Sequence, residues 1–200
     1  MDQRTGQVAN ASSRAADGDE RTRYDTVTLW LHWATVFLVL ANFALALTWE
    51  NFARPTRHLM QDVHMSFGIL LGAAVIARIA WRLIPDHQMP PAAAGLQGLA
   101  ARGLHALLYI LLLAEFGLGF VLRWSGGEAM IFFGAAIRSP IAEVSRATHH
   151  QIAELHEWNG WAIIVLAAGH AGAALYHHFV LKDGVLRRML PGIEPGVRPQ

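Results

Sequence analysis

Cysteine is absent from the 200-residue sequence. That absence excludes disulfides, thiolate-bound iron–sulfur clusters, zinc fingers, a cysteine nucleophile and the C-x-x-C-H attachment of c-type haem, all of which need a thiol. Any metal must be held through nitrogen or oxygen. Charge is scarce too: Asp, Glu, Lys and Arg make up 16% of the residues, against about 25% in an ordinary soluble domain. Sixteen Lys and Arg against fifteen Asp and Glu leave a net charge of +1, which makes no electrostatic case for nucleic acid or an acidic partner. What the chain has in quantity is apolar residues, at 54%, and histidine, with eleven copies.

A bilayer core about 30 Å thick is crossed by about 20 mostly apolar helical residues. Four stretches qualify: residues 27–49 and 157–181, long and almost free of charge, 64–84 with Arg78 and Arg82 near its end, and 103–122 interrupted only by Glu115. Arginines near a span end can snorkel to the interface. The fold expected is all-α, an integral membrane four-helix bundle over residues 24–192, between a disordered tail (1–23) and a short C-terminal tail (193–200). The first apolar run is too long for a signal-peptide h-region of about 7–15 residues, so it reads as an uncleaved span. Pro85, Pro90 and Pro91 mark the loop between spans two and three, and residues 129–137 of the last loop are a candidate membrane-surface segment.

Four spans put both termini on one side. Eleven Lys or Arg lie in the termini and middle loop (Arg4, Arg14, Arg21, Arg23, Arg78, Arg82, Arg102, Lys182, Arg187, Arg188, Arg198), against five in the other loops (Arg54, Arg57, Arg123, Arg138, Arg146). The positive-inside rule therefore puts both termini in the cytoplasm.

An ionisable residue inside a span is costly and marks a functional site by default, and histidine is a common nitrogen ligand for iron. In this topology His64 and His156 lie near the periplasmic mouth, while His32 and His170 lie nearer the cytoplasm. His156 and His170 are 14 residues apart, about 21 Å along one helix and within about 40° of the same face. Two opposed imidazoles at each of two depths suit two non-covalent haems, with both axial positions of each iron filled, a closed site that favours electron transfer. Gly68, Gly72, Gly160, Gly169 and Gly172 offer room for a flat cofactor, although small residues also serve plain helix contacts. Spacing alone leaves His105, at the depth of His32, and His177, near the face of His170, as competing ligands. A weak repeat at an offset of 73 residues matches Leu31-His32 with Leu104-His105 and Ala41-Asn42-Phe43 with Ala114-Glu115-Phe116.

The segments Tyr24–Trp33 (YDTVTLWLHW), His64–Gly68 with Arg78-Ile-Ala-Trp-Arg82, His156–His170, and Tyr176–Gly184 followed by Leu186–Pro191 resemble the bacterial cytochrome b561 family over about Tyr24–Gly192. The resemblance implies a multi-pass protein of the bacterial inner membrane with two b-type haems that exchanges electrons with membrane quinone. It also implies axial ligands at His32 and His170 for one haem and at His64 and His156 for the other, with His105 and His177 as non-ligands. Arg78 and Arg82 suit the propionates of the inner haem, and Arg123 those of the outer one. Glu115 departs from the expected uncharged residue of the third helix. Three readings follow: electron transfer with quinone in a respiratory chain, a cytochrome b anchor or relay for a partner redox protein such as a hydrogenase, and a haem-free proton-coupled transporter that would use the histidines and Glu115 as a relay.

Overall fold

The computed structural model describes residues 24–84, 95–183 and 185–190. The expected tails at 1–23 and 193–200, the prolines at 85, 90 and 91, and the arginines at 4, 14, 21, 23 and 198 lie outside the described residues. Among the described residues, four helices are long and apolar enough to cross a membrane: α1 (Thr26–Thr48), α2 (Arg54–Leu83), α3 (Gly95–Ser125) and α4 (Arg146–Tyr176). The chain is a multi-pass, all-α membrane protein.

Local chemistry sets the helix ends. Asp25 caps α1, accepting from the Thr28 amide at 3.0 Å and the Thr28 hydroxyl at 2.6 Å, which satisfies donors that have no partner within the helix. The same carboxylate accepts from the Trp81 indole at 3.1 Å, joining the start of α1 to the end of α2. Pro55 stands in the first turn of α2, where its fixed φ is already helical. At the end of α3, the Gly127 amide donates to the Trp124 carbonyl and the Glu128 amide to the Arg123 carbonyl, with Gly127 at φ +75°, a Schellman closure that favours glycine. Ser145 caps α4 by accepting from the Thr148 amide at 3.2 Å. Residues His177–Leu181 continue α4 as a π-turn, and Lys182 stops it in the left-handed conformation at φ +52°.

Three of the helices extend well beyond the apolar runs: α2 starts at Arg54 rather than 64, α3 at Gly95 rather than 103, and α4 at Arg146 rather than 157. Hydropathy sees only the part in lipid, whereas backbone hydrogen bonding continues into the polar flanks. Within residues 129–137, the candidate membrane-surface segment, Met130–Ile137 form a two-stranded antiparallel hairpin, β1 (Met130–Phe132) and β2 (Ala135–Ile137). Its two-residue turn has Phe133 at φ +45° and Gly134 at φ +87°, the positive values that a type I′ turn needs. The Phe133 amide donates to Ser66 Oγ at 2.9 Å, which fastens the hairpin to α2.

Leu38, Leu71, Val75, Leu112 and Ile163 form the buried centre, with one or two contributions from each of the four helices. Many large apolar side chains, among them Trp30, Phe37, Leu40, Ile110 and Val165, are exposed around the outside, as lipid-facing surfaces require. A Cβ on Gly72 would fall inside the Phe116 ring, so this glycine is where α2 and α3 approach closely.

Candidate haem site

The bundle has a loop end, where α1 meets α2 and α3 meets α4, and a terminal end carrying the start of α1 and the end of α4. His64 on α2 and His156 on α4 face each other towards the loop end, with ring centroids 6.3 Å apart and planes at 82°. His64 Nδ1 lies 3.1 Å from the Asn42 backbone carbonyl. A carbonyl can only accept, so Nδ1 carries the proton and Nε2 keeps its lone pair. The Asn42 side chain adds a second tie: oriented by its hydrogen-bond network, Nδ2 donates to the His64 carbonyl at 2.9 Å and Oδ1 accepts from the Gly68 amide at 3.2 Å. Trp49 packs edge-on against the His64 ring at 5.2 Å.

His156 Nδ1 lies 3.2 Å from Glu115 Oε1. The separation suits a hydrogen bond but the angle does not, which leaves the nitrogen buried and unsatisfied beside one carboxylate. Asn159, one turn along α4, donates to Glu115 Oε2 at 2.7 Å and to the Leu111 carbonyl at 3.0 Å. Gly119 on α3 faces the His156 ring, and a Cβ there would stand in ordinary van der Waals contact with Cε1 at 3.6 Å.

The second level is arranged differently. Arg78 donates to His32 Nδ1 at 2.9 Å and lies over the Tyr109 ring, 5.6 Å from its centroid. His170 packs edge-on against His105 at 5.0 Å. His32, His105, His170 and Arg78 all fall within electrostatic reach of one another, with Arg82 close to His105. His32 and His170 thus share a cluster, but their nearest ring partners are Trp33 and His105 respectively. His177, seven residues beyond His170, is turned away from this cluster and bonds Asp183 at 2.5 Å.

The repeat acquires a spatial meaning here. Asn42 and Glu115, matched at the offset of 73, stand beside His64 Nδ1 and His156 Nδ1 respectively. His32 and His105 are matched too, and each touches the residue 14 positions after one of those histidines, Arg78 or His170. Asn42, Asn159 and Tyr109 are the participants that the sequence reading missed. Only Asn42 carried a legible signal, by its position in the repeat.

The donor set fits an iron porphyrin better at one level than the other. Two imidazoles with ring centroids 6.3 Å apart leave room for one metal ion between nitrogens at about 2 Å each. A backbone carbonyl and a carboxylate stand behind them, the outer partners that orient ligating histidines. At the second level Arg78 occupies His32 Nδ1 as a donor, which puts the proton on Nε2, so Arg78 must release the ring before Nε2 can ligate. Among the described residues no three His, Asp or Glu side chains converge as a free metal ion would need. Gly68, Gly169 and Gly172 have nothing within 4 Å of where a Cβ would stand, whereas Gly160 faces Glu115 and Gly72 faces Phe116. The five glycines therefore divide into three beside open space and two at contacts. Arg123 is paired with Glu128 and its Nε donates to the Ala129 carbonyl at 3.2 Å, so its guanidinium is engaged at the loop end.

The profile of the prokaryotic cytochrome b561 family matches residues 23–192. The chain belongs to this family. Its relatives include cytochrome b561 homolog 2 of Escherichia coli, 33% identical over 84% of this chain and 91% of that protein. Cytochrome b562 of Cereibacter sphaeroides is 31% identical over 84% of this chain and 94% of its own length. The Yersinia pestis protein named "Probable superoxide oxidase CybB" is 29% identical over 84% of this chain and 96% of its own. As a member of the b561 family the chain is a b-type cytochrome of membrane electron transfer, which argues against the haem-free relay.

Proposed function

We propose that this b561-family chain carries electrons across the bacterial inner membrane between two b-type haems, each held by two histidines, and exchanges them with membrane quinone. The facing of His64 and His156, with both Nδ1 atoms backed by an oxygen, is the observation that carries the reading. His64 and His156 would hold one haem; His32 and His170, with Arg78 and Arg82 towards the propionates, would hold the other. Arg123 would serve the outer haem only after leaving Glu128. Both termini would face the cytoplasm. Haem, when bound, would supply a reversible one-electron change at iron, and two histidine ligands would keep oxygen and other small ligands from it.

The rest is the work of the protein. Helices α2 and α4 fix the separation of the outer imidazoles, and the Asn42 carbonyl fixes which nitrogen His64 presents. The apolar centre from Leu38 to Ile163 keeps water from the path between the levels, and the 14-residue spacing on α4 sets them about 21 Å apart along the helix. Electrons enter and leave at opposite ends, which requires no proton to cross the bundle.

Reconstitution in liposomes with a reduced quinone analogue tests this function: the quinol should reduce the b-type absorbance of wild type. A chain that dithionite reduces and quinol does not would leave only a relay for a partner redox protein. Superoxide is a second donor to assay, given the name of the Yersinia relative; it would give one electron to ferric iron and leave as dioxygen.

A further inference from the structure

Glu115 is the one acidic residue among 103–122, and the proposed electron transfer leaves its carboxyl group unexplained. Its surroundings are specific. Oε2 is gripped by Asn159 at 2.7 Å, and the same amide is anchored on the Leu111 carbonyl at 3.0 Å. Oε1 lies 3.2 Å from His156 Nδ1, a buried nitrogen without a satisfied hydrogen bond. Gly160 makes the space, since a Cβ there would stand 3.2 Å from Oε1. His156, Asn159 and Gly160 lie at i, i+3 and i+4 on one face of α4, so a single helix face presents the ring, the clamp and the gap.

The opposite ring is held by a neutral group, the Asn42 carbonyl. The outer pair is therefore asymmetric: one imidazole is backed by a peptide dipole, the other by a carboxylate. A carboxylate accepting from Nδ1 makes Nε2 more electron-donating and fixes the ring orientation. A negative charge near iron also favours its oxidised, more positive form over the reduced one.

We propose that Glu115, clamped by Asn159, is a positioning residue for His156: with haem bound, Oε1 accepts a hydrogen bond from Nδ1, turns Nε2 towards His64 and, as a carboxylate, holds the outer haem at a lower reduction potential than a neutral partner would. The proposal rests on the assignment of His64 and His156 as ligands. It assigns no proton transfer to Glu115.

The test uses the full-length chain in detergent, with redox titration followed at the b-type absorbance and haem counted per chain. His64→Ala first identifies the outer component as the one it removes. Glu115→Gln keeps an acceptor of the same shape and drops the charge, so both haems should remain while the outer potential rises and the inner one stays. A tenfold loss of preference for the oxidised form corresponds to about 59 mV for one electron. Glu115→Leu removes charge and acceptor together and should weaken haem binding at the outer site about 10–100-fold, with the inner haem and helical circular dichroism as controls for folding. An outer potential unchanged in Glu115→Gln, or equal shifts at both haems, overturns the positioning role while leaving the ligands standing. Equal loss of both haems in Glu115→Leu marks a packing role and overturns it as well. A wild type with no component that His64→Ala removes refutes the ligand assignment, and this proposal with it.

Discussion

A methyl group on Gly72 provides a sharp test of how α2 and α3 meet. Its Cβ would enter the Phe116 ring, and that ring is itself packed edge-on against Phe120 at 5.2 Å, which limits its retreat. Forcing extra volume into a packed contact costs about 1–3 kcal/mol. Replacing glycine by alanine within a helix gains about 0.5–1 kcal/mol, so Gly72→Ala should destabilise by about 1–2 kcal/mol. In a Phe116→Ala background the obstacle is gone and the sign inverts, with Gly72→Ala then stabilising by about 0.5–1 kcal/mol. Gly117, with nothing within 4 Å of where its Cβ would stand, is the control, and Gly117→Ala should stabilise by the same amount. Reversible unfolding in mixed micelles, followed by helical circular dichroism, measures wild type, the three single variants and the double variant. If Gly72→Ala costs the same with and without the Phe116 ring, the close approach of α2 and α3 is wrong.

Three further outcomes follow from other contacts. Asp25→Ala removes the α1 cap and the acceptor of the Trp81 indole, and should cost about 1–2 kcal/mol in the same unfolding assay; a neutral effect would contradict the capping geometry. Arg78, proposed to leave His32 Nδ1 for the propionates when the inner haem binds, puts a positive charge beside that haem, so in Arg78→Leu the inner potential should fall while the outer one holds, and a redox titration that finds the outer one moving instead would refute the placement of Arg78. Outside the membrane, hydrogen bonding from His177 holds the Asp183 carboxyl below its usual value of 3.8. A depressed folded-state value means that the contribution is present above pH 3.8 and is lost as pH falls through the lower folded value. The Val185 amide, which donates to Asp183 Oδ1 at 3.2 Å, should report the carboxyl titration by NMR with a midpoint below 3.8; a midpoint at or above 3.8 would contradict the pairing.

The spans were legible because lipid imposes a long run of apolar residues, and the uncharged stretches at 27–49 and 158–181 have no soluble explanation. The helix starts at Arg54, Gly95 and Arg146 were not, because the polar first turns of α2, α3 and α4 obey capping and backbone hydrogen bonding rather than hydropathy. The β-hairpin at 130–137 depends on two positive-φ residues, Phe133 and Gly134, and a phenylalanine at such a position gives no warning. At the site, periodicity along α4 put His156 and His170 on one face, and depth arithmetic set His64 opposite His156, where their rings meet. Depth could not show that Arg78 would hold His32 or that His105 would lie against His170, since rotation about a helix axis and side-chain length decide such contacts. Glu115 stood out as a charge in a span, but its partners Asn159 and His156 come from another helix and have no signature at any fixed spacing.

The central claim is that four histidines of this chain hold two b-type haems. Purification in detergent, a dithionite-reduced minus oxidised spectrum, and a pyridine haemochrome count per polypeptide test it most directly when applied to wild type, His64→Ala and His170→Ala. The account predicts two non-covalent b haems in wild type and one in each variant, with a different spectral component missing from each. A wild-type chain expressed with ample haem that carries none, or variants that retain both, would contradict it.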